Sequence, residues 1–189
     1  GVVADIACGV GYGSFLVVEE CGDRISHIYA IDNDSKSIRF ASGRYAHSKI
    51  SFIEADALSY QSPEKLNTII SLETLEHLEN PSAFIQHTAR QLVTGGRFIA
   101  SVPITPSVDA NPYHLHDFTK KGFKKMFTDA GMKEIDSIIQ QQPYSLFSIM
   151  KQKEERSKYL RKNIAGYYLE NPNKFLLRLK SLIKDGWNN

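Results

Sequence analysis

The chain has 189 residues and is poor in cysteine, in net charge and in long apolar runs. Its two cysteines, Cys8 and Cys21, are too few and too close to the first predicted strand and helix for a disulfide framework, which favours a reducing, cytoplasmic compartment. No apolar run approaches the roughly 18 residues that a membrane-spanning helix needs, and no signal-peptide pattern is present. We therefore expect a soluble protein with a single hydrophobic core.

The net charge is also small, since 23 basic residues are balanced by 21 acidic ones and leave a net charge of +2. This balance gives no reason to expect a nucleic-acid partner. Residues 151–189 hold ten of the basic residues against four acids, so the body is mildly acidic and the tail is basic. A basic helical face can contact a membrane surface, but such faces are usually solvated, and we favour the solvated face.

Short apolar runs alternate with segments of helical period, which predicts an α/β fold with a Rossmann-like, doubly wound, mostly parallel sheet and helices on both faces. The chain already starts in a strand, so we expect an N-terminal helix to be missing. The predicted strands are residues 2–6, 26–31, 50–54, 67–72 and 97–102, and the predicted helices are 13–21, 35–46, 82–92 and 119–130.

Several boundaries depend on single residues. Asn80 and Pro81 mark a helix start, and the pair Gly95-Gly96 is expected to end that helix before the fifth strand. Residues 132–139 resemble a sixth strand, while 144–150 fit either an antiparallel seventh strand or the start of a helix. Residues 154–184 have the apolar spacing of a helix. We therefore expect a domain over residues 1–150 and a basic helical extension over 151–189.

A glycine-rich turn at residues 7–14 follows the first strand and leads straight into a helix. Glycines permit positive φ and let a ligand approach the backbone, while a helix N-terminus favours a carboxylate or a phosphate. Such turns also occur for purely structural reasons. The turn indicates a nucleotide site only if matching groups stand at the same edge of the sheet.

Acidic residues stand at the ends of the next two strands. Asp32 lies about twenty residues past the loop, where a carboxylate can accept both hydroxyls of a ribose. The alternative for Asp32 is a helix cap, but Asp34 or Ser35 stands closer to the next helix. Asp56 ends the third strand, where it can accept from an adenine amino group. Together these positions predict an adenosine site.

The nucleotide could belong to a dinucleotide or to a methyl donor, and three features favour the donor. The glycine loop has an acid on the first strand, Asp5, and Ser14 in the place of the third glycine of the dinucleotide fingerprint. The third strand ends with a further acid, Asp56, and the fourth strand ends with Glu73 at the same edge of the sheet. A nicotinamide-dependent oxidoreductase would also need an acid-base residue in a second domain, which is not evident. A non-catalytic cofactor-binding module is disfavoured because the acids and glycines are retained together.

Five motifs follow one another along the chain, at residues 5–13, 30–32, 54–57, 71–78 and 92–96. In this order they resemble the motifs of class I S-adenosylmethionine-dependent methyltransferases, and within that class those similar to methyltransferase types 11 and 12. The resemblance covers residues 1 to about 102, and the joint order is much more specific than any one motif. It implies S-adenosylmethionine as the cofactor and a methyl transfer as the reaction.

The same resemblance implies roles for individual residues at the cofactor. The ribose would be held by Asp32 with Asn33 beside it, and the adenine by the Asp56 side chain and the Ala57 amide. Cys8 and Gly13 complete the cofactor loop. The methionine end would lie against Asp5, Ala7, Gly9 and Gly11, with the Leu72 carbonyl and Glu73 near it on the substrate side.

Methyl transfer to a hydroxyl is helped by a base, and histidine titrates near neutrality. The candidates are His77 after the fourth strand and His114 and His116 after the fifth, although a single histidine more often caps or packs. The last two could bind a metal on a strand, but Asp117 is their only acidic neighbour and we expect no metal. Residues 111–118 are similar to a segment of methyltransferases in sugar and glycan biosynthesis, which hints at a sugar or other small-molecule acceptor.

Overall fold

The computed structural model describes residues 1–104, 111–140, 164–176 and 179. They fall into two units, Gly1–Val102 and Pro103–Asn189. The expected boundary between residues 150 and 151 lies outside the described residues. None of the helices in the described ranges is long and apolar enough to cross a membrane.

The first unit contains a sheet of five parallel strands in the order β3-β2-β1-β4-β5. The carboxyl ends of all five strands therefore meet at one edge, which we call the carboxyl edge. Apolar side chains fill the strands because both faces of a parallel sheet are covered. The strands are β1 (Val2–Ile6), β2 (His27–Asp32), β3 (Ile50–Glu54), β4 (Leu66–Leu72) and β5 (Leu92–Ser101).

Three helices connect these strands: α1 (Tyr12–Cys21), α2 (Ser35–Arg44) and α3 (Pro81–Ala89). The strand order runs one way from β1 to β3 and the opposite way from β4 to β5. Right-handed crossovers then put α1 and α2 on one face of the sheet and α3 on the other. The predicted doubly wound fold is confirmed, and the first four strand predictions are correct to within one residue at each end.

Local capping explains where two of the helices begin. The Asp34 side chain accepts hydrogen bonds from the backbone amides of Lys36 and Ser37 at the start of α2. The Asn80 side chain accepts from the Ala83 amide at 2.9 Å, with Pro81 in the first turn of α3. These bonds satisfy amides that have no partner within the helix. The predicted start of α3 is thereby confirmed.

The core of the first unit is apolar and lies against both faces of β1 and β2. All five residues of β1 are buried. One cluster joins the sheet to α1 through close packing, as a native interior requires. Its buried members are Val3, Val18, Ile25, Ile28, Ala30 and Ile50.

The expected role of Gly95-Gly96 is wrong, because the pair lies inside β5. The helix before it already ends at Ala89, and β5 begins at Leu92. Leu66 of β4 pairs with Leu92, but Thr68 pairs with Arg97, so the residues between bulge out of the ladder. Gly95 has φ 78, which only glycine adopts easily. The glycines therefore build a bulge within the strand.

The second unit contains α4 (Lys120–Asp129) and α5 (Ile164–Glu170), with residues 172–176 also helical. The Thr119 hydroxyl caps α4 by accepting from the Gly122 amide at 3.0 Å. The half-buried ring of Phe123 lies 5.3 Å from that of Phe127. Within the expected C-terminal helix over residues 154–184, residues 164–170 and 172–176 are helical, but Asn171 between them is not, so these described residues do not form one continuous helix. The remainder of that segment lies outside the described residues.

The expected sixth strand at residues 132–139 is wrong, since 132–140 carry no regular secondary structure. Ile135 and Ile138 are 79% and 89% exposed. A strand needs the backbone of a neighbouring strand for its hydrogen bonds, and the described residues offer this segment none. The alternatives for residues 144–150 lie outside the described residues.

Candidate functional site at the carboxyl edge

The glycine-rich loop between β1 and α1 is held in an uncommon backbone conformation. Ala7, Gly9 and Gly11 all have positive φ, at 67, 55 and 79. The Cys8 amide donates to the Ile31 carbonyl of β2 at 2.9 Å, which ties the loop to the neighbouring strand. A left-handed alanine costs on the order of 1 kcal/mol or more and is typical of ligand-binding turns. The loop is therefore shaped for a purpose other than simple chain reversal.

Two of the loop glycines have different reasons to be glycine. A Cβ on Gly11 would lie 2.5 Å from the Phe52 ring and 2.7 Å from the Ala41 side chain, so the packing requires its absence. A Cβ on Gly9 would meet nothing within 4 Å. Space above the Gly9 backbone is thus open, as the close approach of a ligand requires.

Asp5 is buried at the end of β1, where its carboxylate accepts a 2.5 Å hydrogen bond from the Ser14 hydroxyl. Burial raises the pKa of Asp5, the Ser14 bond opposes that rise, and the charge of Asp32 adds to it. Burial and the charges of Asp5 and Asp32 also raise the pKa of the Cys8 thiol, which keeps it unreactive. Cys8 is a packing residue of the loop.

Asp32 joins the ends of β1 and β2. One of its carboxylate oxygens accepts from the Gly9 amide at 2.8 Å and the other from the Asp34 amide at 2.9 Å. Asp34 itself is the helix cap, so the capping alternative for Asp32 does not apply. The Asp32 carboxylate lies directly against the open part of the loop, and the exposed Asn33 follows it.

The end of β3 continues this edge. The Ala55 amide donates to the Asp32 carbonyl at 3.0 Å, which brings the two strand ends together. Asp56 is exposed, and one of its carboxylate oxygens accepts from the Leu58 amide at 2.8 Å. This bond fixes the side chain, while the half-buried Ala57 follows it. Asp32, the last residue of β2, and Asp56, two residues past the end of β3, therefore lie at neighbouring strand ends of the carboxyl edge.

The end of β4 carries a second strained residue, Glu73, with φ 51. Its carboxylate accepts from the Ser101 hydroxyl at 2.6 Å, and its amide donates to the Ser101 carbonyl at 3.1 Å. The Leu72 carbonyl accepts from the Thr74 hydroxyl at 3.1 Å. Since β1 and β4 are adjacent in the sheet, the two strained non-glycine residues, Ala7 and Glu73, follow neighbouring strands.

Beyond Glu73 the chain forms a short 3-10 turn, Leu75–His77. The Glu76 side chain in this turn is 1% exposed, and within the described parts of the chain its Oε2 has no hydrogen-bond partner. Burial raises the pKa of Glu76, its own backbone amide opposes this, and the charge of Glu73 adds to it. The His77 side chain is 40% exposed, with its Nε2 at 4.0 Å from the Glu76 carboxylate.

Comparison with known proteins identifies the family. A family model for a methyltransferase domain matches residues 1–163. The chain belongs to the class I S-adenosylmethionine-dependent methyltransferases. S-adenosylmethionine is therefore the cofactor that this family uses.

Individual relatives of this methyltransferase are distant. A protein of Mycobacterium tuberculosis (strain CDC 1551 / Oshkosh), named a probable S-adenosylmethionine-dependent methyltransferase, is 24% identical over 140 residues, which are 70% of this chain and 49% of that protein. Phosphoethanolamine N-methyltransferase 1 of Arabidopsis thaliana is 27% identical over 172 residues, which are 81% of this chain and 34% of that protein. The chain thus spans half or less of the length of these two relatives.

The fold of the methyltransferase is shared with solved structures. An S-adenosylmethionine-dependent methyltransferase from Mesorhizobium loti superposes with a TM-score of 0.57 at 16% identity, covering 68% of this chain and 72% of the other. At that identity the likeness shows the fold alone.

The predicted site residues of the methyltransferase divide between the two units. Those after β1, β2, β3 and β4, with His77, stand at the carboxyl edge of the first unit. His114 and His116 lie in the second unit, where the His114 amide donates to the Asn111 carbonyl at 3.1 Å and the His116 ring is 6.0 Å from that of Phe118.

Sequence reasoning missed the parts played by Ser14, Glu76 and Ser101. Ser14 does stand out in the sequence because it breaks the dinucleotide fingerprint, and its bond to Asp5 is the reason for a serine there. Glu76 lies within the motif at residues 71–78 but carries no separate signal of its own. Ser101 carries no local signal, since its contact with Glu73 depends on the pairing of β4 with β5.

Proposed function

We propose that this chain transfers the methyl group of S-adenosylmethionine to a small-molecule acceptor, and that the acceptor atom is a hydroxyl oxygen of a sugar or glycan precursor. The observation that carries the proposal is the junction of the glycine loop with Asp32. There an open stretch of backbone, a carboxylate and a strained alanine converge at the carboxyl edge of a parallel sheet. Ligands of open α/β sheets bind at such edges.

The residues present fit the cofactor, since the space above Gly9 is open. We assign the ribose hydroxyls to Asp32, with Asn33 beside it, and the adenine to the Asp56 carboxylate and the Ala57 amide. A carboxylate that already accepts one amide on each oxygen keeps further lone pairs for hydroxyl donors. The methionine end is assigned to Asp5, Ala7, Gly9 and Gly11, with Leu72 and Glu73 near it on the substrate side, while Cys8 and Gly13 complete the cofactor loop.

When bound, the cofactor supplies a methyl group on a positively charged sulfur. The chain then has to align the acceptor and exclude water from it. We propose that the neutral His77 imidazole accepts the proton of the acceptor hydroxyl. Its partial exposure leaves it accessible, and the Glu76 carboxylate stabilises the imidazolium that forms. His114 and His116 are proposed as further acid-base candidates from the second unit, without a metal.

A nitrogen acceptor is the second candidate. It is favoured by the likeness to the plant phosphoethanolamine N-methyltransferase and by the acids Glu73 and Glu76, which suit a cationic amine. Such an acceptor depends less on a base, because a neutral amine has its own lone pair. The two candidates therefore differ in how strongly turnover depends on His77.

We also propose a cytoplasmic location without a nucleic-acid partner. Cys8 and Cys21 are both free thiols, as expected in a reducing compartment. We propose that the methyltransferase domain extends over residues 1–150 and the basic extension over residues 151–189.

The first experiment is calorimetric titration of the chain with S-adenosylmethionine, with S-adenosylhomocysteine and with reduced nicotinamide dinucleotides. Binding of the first two alone is expected. Binding of the dinucleotides, or of nothing, would contradict the proposed site. Transfer of a radiolabelled methyl group to nucleotide-linked sugars and to amino alcohols then tests the acceptor. A product labelled on oxygen supports the first candidate, and one labelled on nitrogen supports the second.

A further inference from the structure

The connection from β3 to β4, residues 55–65, contains no helix or strand of its own. It runs from the carboxyl edge back to the opposite edge of the sheet, where β4 begins. A helix would satisfy its own backbone amides and carbonyls, but an irregular connection needs other partners for them. The proposed adenine groups, Asp56 and Ala57, lie at the start of this connection, so their position depends on what holds it.

The side chain of Gln91 supplies two of these partners. Gln91 lies between α3 and β5 and is 8% exposed. Its Nε2 donates to the Tyr60 carbonyl at 3.0 Å, and its Oε1 accepts from the Ser62 amide at 2.7 Å. Because a backbone amide only donates and a carbonyl only accepts, these partners define which way the Gln91 amide points. His87 Nε2 donates to the same Tyr60 carbonyl at 2.9 Å, so two side chains from the end of α3 hold one peptide group of the connection.

A short turn links this anchored peptide to Asp56. The amides of Tyr60 and Ser59 donate to the Asp56 carbonyl at 2.9 and 3.2 Å. The Asp56 carboxylate accepts from the Leu58 amide inside the same turn. Tyr60 is therefore bonded to Asp56 through its amide and to Gln91 through its carbonyl. Without Gln91 the turn would keep its internal bonds but lose much of its attachment to the rest of the unit.

We propose that Gln91 is a positioning residue that sets the Asp56 carboxylate for the amino group of adenine and so gives the site its preference for this base. The inference rests on the proposed placement of adenine at Asp56. Asp56 is exposed, and an exposed carboxylate on a loose turn would lose conformational entropy on binding, which a turn fixed in advance avoids. The Gln91 carbonyl accepts from the Leu66 amide at the start of β4, so Gln91 lies at the opposite edge and acts only through the connection.

The test compares two ligands that differ only in the group that Asp56 is proposed to bind. One is S-adenosylhomocysteine, and the other is its analogue without the 6-amino group of the purine. Gln91→Met keeps the size of the side chain but removes both bonds. Calorimetry of this variant should give about tenfold weaker binding of S-adenosylhomocysteine and at most about threefold weaker binding of the analogue.

A second variant keeps the inference testable if Gln91→Met does not fold. His87→Leu removes one of the two bonds to the Tyr60 carbonyl from a half-buried position. It should weaken the binding of S-adenosylhomocysteine about threefold and leave the analogue unchanged. Gln86→Met is the matched control, since it makes the same chemical change at an exposed position of α3 and should change neither affinity.

Asp56→Ala separates this inference from the proposed function. It should abolish the preference for the amino group, and its combination with Gln91→Met should remove no more of that preference, because both changes act on one contact. Equal losses for the two ligands in Gln91→Met or His87→Leu would overturn the inference, since they would show a general structural effect. A preference lost in Asp56→Ala but kept in Gln91→Met would overturn the inference alone, whereas a preference kept in Asp56→Ala would overturn the placement of adenine with it.

Discussion

The carboxyl edge has two halves that differ in how their charged groups are satisfied. After β1 and β2, the buried Asp5 accepts from Ser14, and Asp32 accepts one backbone amide on each oxygen. After β4, Glu76 is also buried, and its Oε2 has no hydrogen-bond partner among the described residues. A buried carboxylate oxygen without a hydrogen bond costs free energy, so the hydrogen bonding of the second half is the less complete.

This difference matches the two tasks of a methyltransferase. The donor is the same molecule throughout the family, and its adenosine can be recognised by a fixed set of local bonds. The acceptor varies, and groups that meet it must stay available until it arrives. We therefore regard the first half as the donor half and the β4 side as the acceptor half of the edge, and each prediction below tests that contrast.

The largest effect is expected where the donor half depends on glycine. Gly11→Ala places a Cβ 2.5 Å from the Phe52 ring at φ 79, so the free energy of unfolding should fall by roughly 2–4 kcal/mol. Urea denaturation measures this change. Gly43→Ala is the control, because a Cβ at this position within α2 would meet nothing within 4 Å. That variant should raise the free energy of unfolding by up to about 1 kcal/mol, since alanine favours a helix more than glycine does. Equal stability of the two variants would show that the loop is not rigidly packed.

In the acceptor half, His77→Gln is expected to lower kcat with a hydroxyl acceptor about 100-fold, or nearly 3 kcal/mol, while leaving the affinity for S-adenosylmethionine unchanged. The reason is the loss of the proposed proton acceptor. Steady-state kinetics and calorimetry measure the two quantities. His47→Gln is the control, because His47 precedes β3 at the opposite edge of the sheet. Unchanged turnover in His77→Gln would remove His77 from the catalytic groups and favour a nitrogen acceptor.

Asp32→Asn tests whether the donor half binds the cofactor. It removes the charge that we propose accepts the ribose hydroxyls, so the affinity for S-adenosylmethionine should fall about 30-fold, or roughly 2 kcal/mol. Asp34→Asn makes the same chemical change two residues away, where asparagine caps a helix as well as aspartate does. That variant should bind normally. Similar affinities in the two variants would move the ribose away from Asp32.

The donor half was also the more predictable from sequence. Asp32 and Asp56 could be placed because the ends of parallel strands share one edge, whatever the details of packing. The helix start at Asn80 followed from local capping chemistry. These features depend on residues close together in the chain, so their patterns predict them directly.

The acceptor half depends on contacts that local patterns do not contain. The contact of Ser101 with Glu73 exists because β5 pairs with β4 in one particular register. Gly95 resembled a helix stop, since a bulge and a helix end both use glycine at positive φ. The failed strand at residues 132–139 has the right composition, but strand formation requires a neighbour that composition cannot supply.

The smallest effect concerns the buried acid of the acceptor half. Burial raises the pKa of Glu76, so the folded state holds its proton to a higher pH than the unfolded state does. Stability from this group is therefore lost as pH rises from the ordinary glutamate pKa through the raised one. Glu76→Gln does not titrate, so over this pH range its free energy of unfolding should rise by on the order of 1 kcal/mol relative to that of the unmodified chain. Urea denaturation at a series of pH values measures this difference.

Glu134 provides the control of opposite sign. Its bond to Lys124 lowers the pKa of this exposed carboxyl, so its contribution to stability is present above the ordinary glutamate pKa and is lost as pH falls. As the pH rises from the lowered to the ordinary glutamate pKa, the stability of Glu134→Gln should therefore fall relative to that of the unmodified chain. The change should be smaller than for Glu76→Gln, because solvent screens the exposed pair. A Glu76→Gln curve parallel to that of the unmodified chain would mean that Glu76 has a satisfied partner in solution. The buried carboxylates of the two halves would then be equally well hydrogen-bonded, and the contrast between the halves would not hold.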